Sequence, residues 1–272
     1  MLATTACPSR KPILGIQVNP CAWNDNITMN IVYVIASSGR DDYTAMARVS
    51  RASLLMSNPE AKVTVVCDTE TDHAVRAAQD PLLGEVDEWR TFETPPGDGS
   101  YRSKFLKSSL RQRLSGPYLF LDVDTIIRDD LTSVFQIGGD IAGAPAHARE
   151  NAPCTIWEGD LAILDKMNWS IGNELYLNSG VMWASESKGA HDVYHLWHKK
   201  WSCQQTHLHD SRDQPSLNAA ILETQILCKR ISCRYNAQIG AYPLSMKDAA
   251  IWHYFYSIRY QANSHIDEII NA

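Results

Sequence analysis

The sequence predicts an α/β fold, with a mostly parallel central sheet flanked by helices. Three observations carry that expectation. Residues 31–36 and 62–67 are short, continuous apolar and β-branched runs, the pattern of strands covered on both faces. Helical segments separate such runs, and the β-α-β-α alternation favours parallel pairing through right-handed crossovers. The chain has 272 residues, 44% of them hydrophobic, enough to bury a large core as one domain.

The elements follow in order. Residues 1–28, with Pro8, Pro12 and Pro20, read as an N-terminal extension ahead of a single domain over 29–272. The 31–36 strand leads to a helix over about 43–56, closed by Asn58-Pro59. A strand over 62–67 and a helix over about 71–78 come next, and Thr94-Pro-Pro-Gly-Asp-Gly-Ser100 marks a break. Beyond it, Leu106, Leu110 and Leu114 recur at i, i+4 and i+8, an apolar helix stripe. Lys104, Lys107 and Arg111 form a second stripe, and the plain reading of its two lysines is a solvated basic face. An apolar strand starts at Tyr118, a shorter one covers 140–144, and an irregular stretch runs to about residue 169. The remainder reads as a strand over 175–184, helices over 190–201 and 214–223, and a short late strand over 251–255.

Composition narrows the function classes. The balance of 25 Lys+Arg against 31 Asp+Glu, a formal charge of −6, argues against a general affinity for nucleic acid. Seven cysteines without a Cys-x-x-Cys pair fit free thiols in a reducing compartment. Cys228 and Cys233 stand closest, but no second pair completes a zinc site. No run approaches the ~18 apolar residues of a membrane span. The N-terminus lacks the apolar core of a signal peptide. The expectation is a cytoplasmic protein, with peripheral attachment to a membrane left open.

Four constellations could carry chemistry. Tyr118-Leu-Phe-Leu-Asp-Val-Asp-Thr-Ile-Ile127 ends an apolar run in Asp122 and Asp124. Carboxylates at the end of a buried strand need a cation or hydrogen-bond donors, and that edge of an open α/β sheet collects ligands. A divalent metal holding a phosphate meets the need, and a solvated strand exit is the alternative. In Leu177-Asn-Ser-Gly-Val181, Gly180 permits close backbone approach and Asn178 offers donors and an acceptor; a bulge or turn is the plain alternative. Asp210-Ser-Arg-Asp-Gln214 sets acids three apart at a helix start, where Asp213 could also be an N-cap. Ile251-Trp-His253-Tyr254 carries a histidine on an apolar strand, more often a core residue than a ligand. His191, His195 and His198 share a helical spacing, but with no carboxylate ligand adjacent they read as an exposed polar stripe.

In this order the four motifs resemble those of glycosyltransferase family 8, retaining enzymes related to glycogenin and to bacterial lipopolysaccharide galactosyltransferases. The resemblance covers roughly residues 31–259. It implies the GT-A fold of nucleotide-diphospho-sugar transferases, a Rossmann-like, mostly parallel central sheet. The family's Asp-x-Asp binds Mn2+ and the donor diphosphate, which implies Asp122 and Asp124 as metal ligands with Val123 in the donor site; a late histidine, here His253, completes the metal shell. The Asn-Ser-Gly segment contacts the donor sugar, implying Asn178, Ser179 and Gly180. The Asp-x-x-Asp-Gln segment lines the sugar near its anomeric carbon, implying Asp210, Asp213 and Gln214 as catalytic residues. Tyr43 stands where the family carries an aromatic residue against uracil. Lys104, with Lys107 one turn on, stands where it carries a basic residue against the donor. The family's late motif is His-x-x-Gly-x-x-Lys-Pro-Trp; here Tyr256 replaces the glycine, Pro-Trp is absent, and Arg259 falls at the lysine position as a phosphate contact.

The implied protein is a divergent, metal-dependent hexosyltransferase. Its donor is a UDP-sugar and its cofactor Mn2+, with Mg2+ as second choice because mixed oxygen and imidazole ligation suits manganese better. The acceptor stays open among a glycan, a lipid-linked glycan, a protein and a small molecule, as does the oligomeric state. Trp157 and Trp169, in the irregular stretch, could stack on acceptor sugar rings, with burial as the commoner explanation for such aromatics. Two other readings stand: a phosphatase of the HAD type, which also ends an apolar strand in Asp-x-Asp, and a non-catalytic relative that binds a sugar nucleotide.

Overall fold

A computed structural model describes residues 28–39, 41–146, 154, 156–172, 175–238 and 247–254. Its larger sheet contains β1 (Asn30–Ile35), β2 (Lys62–Asp68), β3 (Glu88–Phe92), β4 (Tyr118–Leu121), β6 (Ile141–Pro145), β7 (Leu177–Ala184) and β8 (Cys228–Arg230). A smaller sheet contains β5 (Thr125–Ile127), β9 (Ala237–Gln238) and β10 (Ile251–His253). The spatial orders are β3-β2-β1-β4-β7-β6-β8 and β5-β10-β9. Within the larger sheet every neighbouring pair is parallel except the two made by β7, which runs against β4 and β6.

The apolar runs form strands buried on both faces because their alternate side chains feed two separate cores. Ile31, Tyr33, Ile35, Leu119 and Leu121 join one core, while Val32, Val34, Tyr118 and Phe120 join the other. Helix α1 (Tyr43–Ser57) covers the first face through Ala47 and Leu54. Helices α2 (Thr69–Ala77) and α3 (Leu82–Glu85) lie in the connection from β2 to β3, and α4 (Gly99–Ser108) leads back toward β4. The second face is covered by Leu106 of α4, by Val193, Trp197 and Trp201 of α7 (Lys188–Leu208), and by Leu217 and Ala220 of α8 (Gln214–Thr224). Short helices α5 (Thr132–Phe135) and α6 (Glu158–Lys166) are the remaining α-helices among the described residues. Among the described residues no helix is long and apolar enough to cross a membrane.

From β1 the chain builds outward through β2 to β3, then returns to the other side of β1 as β4. Connections therefore leave the carboxyl ends of β1 and β4 in opposite directions. Such a switch point opens a crevice at the strand ends.

Several expectations are corrected. The strand that starts at Tyr118 ends at Leu121, ahead of Asp122 and Asp124 as expected, while residues 125–127, not foreseen as a strand, join the smaller sheet. The stretch read as irregular contains α6, whose buried positions are Asp160, Ile163 and Leu164; an acid in the core stripe hides the helical pattern. The basic stripe is not a solvated face, since Lys107 and Arg111 are both 1% exposed. Arg111 stacks on the Tyr118 ring at 4.6 Å and donates to the carbonyls of Leu114, Gly116 and Ser185. His198 also leaves the exposed stripe: its Nδ1 lies 2.9 Å from Ser108 Oγ and its ring meets Phe105 edge-on.

Candidate active site

At the end of β4 the chain passes from Leu121 into Asp122-Val123-Asp124-Thr125. The turn is pinned from three sides. Asp122 N donates to Gly180 O at 2.7 Å, and Tyr254 N donates to Asp124 O at 2.8 Å. Thr125 Oγ1 donates to Asp122 O at 2.8 Å and is backed by a buried hydroxyl chain through Ser50 to Tyr33. Because β10 pairs with β5 in the register His253↔Thr125, the histidine arrives beside the two aspartates.

His253 Nε2 lies 3.3 Å from Asp124 Oδ1 and 3.7 Å from Asp122 Oδ2. One ligand atom from each residue falls within 4.8 Å of the others. Gly180 supplies the floor: a β-carbon there would come 2.3 Å from His253 Cε1 and 2.6 Å from Asp122 Oδ2. Two carboxylate oxygens and an imidazole nitrogen brought this close fit a divalent cation that accepts both donor types. Burial opposes charge on both Asp124 and His253, but each outweighs it for the other. The carboxyl pKa is lowered and the imidazole pKa raised.

Two lysines from α4 complete the charge pattern. Lys107 Nζ lies 3.1 Å from Asp122 Oδ1, 3.2 Å from Ser179 Oγ and 3.2 Å from Asp213 Oδ2. Lys104 Nζ lies 3.6 Å from Asp213 Oδ1. Burial alone would push the Asp213 carboxyl up, but Lys104 and Lys107 hold it below the usual carboxylate range. Burial works against the charge of Lys104 too, and Asp213 followed by Asp122 and Asp124 raises its pKa instead. Asp213 precedes α8 at the N-cap position but makes no capping hydrogen bond, so its side chain is committed to the lysines.

Helix α7 holds the loop that delivers Asp213. Trp197 Nε1 donates to Asp213 O at 3.0 Å and Trp201 Nε1 to Ser211 O at 3.2 Å. Gln204 Nε2 donates to Asp210 O and Arg212 O. The Asp210 side chain forms a two-point pair with Arg212, which also lies 3.7 Å from Asp160 Oδ1. Asp210 thus stands one ion pair further out than Asp213. Next to it, Gln214 Oε1 accepts from Asn178 Nδ2 at 2.7 Å, and Gln214 Nε2 donates to Asp160 Oδ2 at 3.4 Å.

A cleft of about 180 Å3 opens beside these groups, where Ala36 of the β1 exit, Tyr43, Ser103 and Lys104 face Asp122, Val123 and Asp124. This is the crevice expected from the strand order. Tyr43 is half-buried there, and burial followed by Asp41 raises its hydroxyl pKa. Asp41 also orders the loop after β1, accepting from Ser37 Oγ at 2.8 Å and Ser38 N at 3.1 Å.

The structure therefore gathers Tyr43, Lys104, Lys107, Asp122, Val123, Asp124, Asn178, Ser179, Gly180, Asp213, Gln214 and His253 about one strand-end region. Arg259 lies outside the described residues. Sequence reasoning missed Asp160, Tyr176 and Asn236, which touch the site from behind. Each is a single polar residue in an unremarkable stretch, with no local signal to mark it.

No protein-family model matches the sequence, and no curated protein matches it. Solved structures do match the fold. A galactosyltransferase, LgtC, in complex with donor and acceptor sugar analogues, aligns with a TM-score of 0.59 at 17% identity, over 89% of this chain and 95% of that one. Mouse xyloside xylosyltransferase 1 aligns at 0.53 and 16% identity, over 84% and 97%. The glycosyltransferase GlyE of Streptococcus pneumoniae aligns at 0.54 and 15%, over 84% of this chain and 55% of its own. The chain has the GT-A fold of these glycosyltransferases.

Proposed function

We propose that the protein is a retaining glycosyltransferase that moves a hexose from a UDP-sugar to an acceptor, with Mn2+ held by Asp122, Asp124 and His253. The observation that carries this reading is the convergence of those three side chains with Lys107 and Gly180 at the switch point of a GT-A sheet. When bound, the ion would supply positive charge to a departing diphosphate. Lys104 and Lys107 add charge on the same side, and Arg259 is assigned a further phosphate contact. Tyr43 lines the cleft where a uracil ring would stack. Asn178, Ser179 and Gly180 border the sugar, whose anomeric centre faces Gln214 and the ionised Asp213, with Asp210 supporting from outside. A carboxylate held charged by two lysines is ready to steady an oxocarbenium-like transition state.

Calorimetric titration of UDP with and without Mn2+, followed by UDP release from UDP-hexoses, tests the reading. Mn2+-dependent UDP binding and turnover are expected, and Asp124→Asn should remove both. Turnover and metal dependence that survive Asp124→Asn would refute the metal assignment. Tight Mn2+-dependent UDP binding with no turnover on any donor would favour the non-catalytic sugar-nucleotide binder. Phosphate release from a phosphomonoester would favour the phosphatase.

A further inference from the structure

The polar side chains behind the cleft form one hydrogen-bonded chain, and a backbone group fixes its direction. Gly180 N–H can only donate, and it donates to Asn178 Oδ1 at 2.8 Å. Asn236 approaches that same oxygen at 2.9 Å and must present its amide nitrogen there. Its own oxygen is then turned to His253 Nδ1, 2.8 Å away. An amide oxygen cannot donate, so the proton between them belongs to the ring. Running the other way, Asn178 Nδ2 donates to Gln214 Oε1 and Gln214 Nε2 to Asp160 Oδ2, where the Tyr176 hydroxyl also donates at 2.8 Å. Asn178, Asn236 and His253 are each 2% exposed, so these hydrogen bonds are shielded from bulk solvent.

We propose that Asn236 is a positioning residue that accepts from His253 Nδ1–H and so turns Nε2 toward Asp122 and Asp124. A ring without the Nδ1 proton would leave Asn236 Oδ1 facing a lone pair. A ring so held is already oriented as a ligand, because the partner of one imidazole nitrogen decides what the other can bind. The Nδ1 proton assignment rests on hydrogen bonds alone; only its link to metal affinity rests on the metal reading given above.

The Nδ1 proton is measurable without substrate or metal. Long-range 1H–15N correlation spectra of histidine-labelled protein show whether Nδ1 carries a proton. The native protein should show His253 with a protonated Nδ1. An unprotonated Nδ1 in the native protein overturns the proposal, whatever any variant does. Asn236→Leu should release the ring and weaken Mn2+ binding by about 10- to 100-fold in calorimetry. Asn236→Asp keeps an acceptor opposite Nδ1 and should retain the Nδ1–H ring. Asp160→Leu should also leave the Nδ1 proton in place, because Gly180 rather than Asp160 sets the direction of the chain. An unaltered ring in folded Asn236→Leu overturns the role of Asn236. Failure of the native protein to bind Mn2+ defeats the metal reading, and the native spectrum still decides whether Nδ1 carries its proton.

Discussion

A β-carbon on Gly180 would sit 2.3 Å from His253 Cε1, so the imidazole ring occupies space that exists only because residue 180 has no side chain. Backbone conformation does not demand this glycine, since its φ lies outside the left-handed region. The requirement is one of room.

Gly180→Ala is therefore expected to push His253 or Asp122 from its place while the strand persists. Overpacking of this kind costs about 1–3 kcal/mol. Mn2+ affinity should fall by more than about tenfold, since a displaced ligand loses its coordination geometry. Calorimetry and thermal melting on one preparation check both effects. Unchanged Mn2+ binding would mean that the ring moves aside freely.

Lys107→Met should destabilise the fold by about 3 kcal/mol, because it leaves Asp122 and buried Asp213 facing each other without their shared cation. Adding Asp213→Asn should recover part of the loss. Urea unfolding of the two single variants and the double variant measures the coupling. Additive effects would show that Lys107 and Asp213 do not depend on each other.

His198 supplies a pH prediction away from the metal residues. Burial, followed by Arg113 and His195, pushes its pKa down to about 4 from 6.5. The folded state then binds fewer protons than the unfolded chain between those values, so this contribution to stability is present above pH 6.5 and is lost as pH falls toward 4. Relative to His198→Gln, the native protein should lose about 2 kcal/mol more between pH 7 and 4.5, allowing for partial exposure. Denaturant midpoints across that range test it, and parallel pH profiles would remove His198 from the account.

What could be read from the sequence followed from how each residue departs from its surroundings. β1, β2 and β4 were visible because a strand buried on both faces is apolar at every position, and Asp122 and Asp124 stood out against β4 for the same reason. β3 was missed because it is an edge strand with exposed Glu88, Arg90 and Thr91, so it lacks the run that marks a central strand. Tyr43 drew attention only through the resemblance, and His253, a histidine on an apolar strand, read by itself as a core residue. Asn236 and Asp160 gave less still. Their roles come from pairings across 58 residues to Asn178 and 54 residues to Gln214, which no local pattern encodes.

The reversed direction of β7 has a consequence for how the molecule assembles. Running against β4, the strand brings its early residues, not its late ones, to the edge where β4 ends, with Val181 opposite Leu121. Lys107 reaches Ser179 across 72 residues of chain, and His253 joins Asp122 and Asp124 only once β10 has paired with β5. Distant pairings of this kind form only after loop closure, so the cleft should mature late, when both sheets are in register. A ligand that recognises the finished cleft then has no partial version to bind, and it stabilises the completed fold by mass action. Occupancy of that cleft would accordingly report on the integrity of the whole chain from β1 to β10.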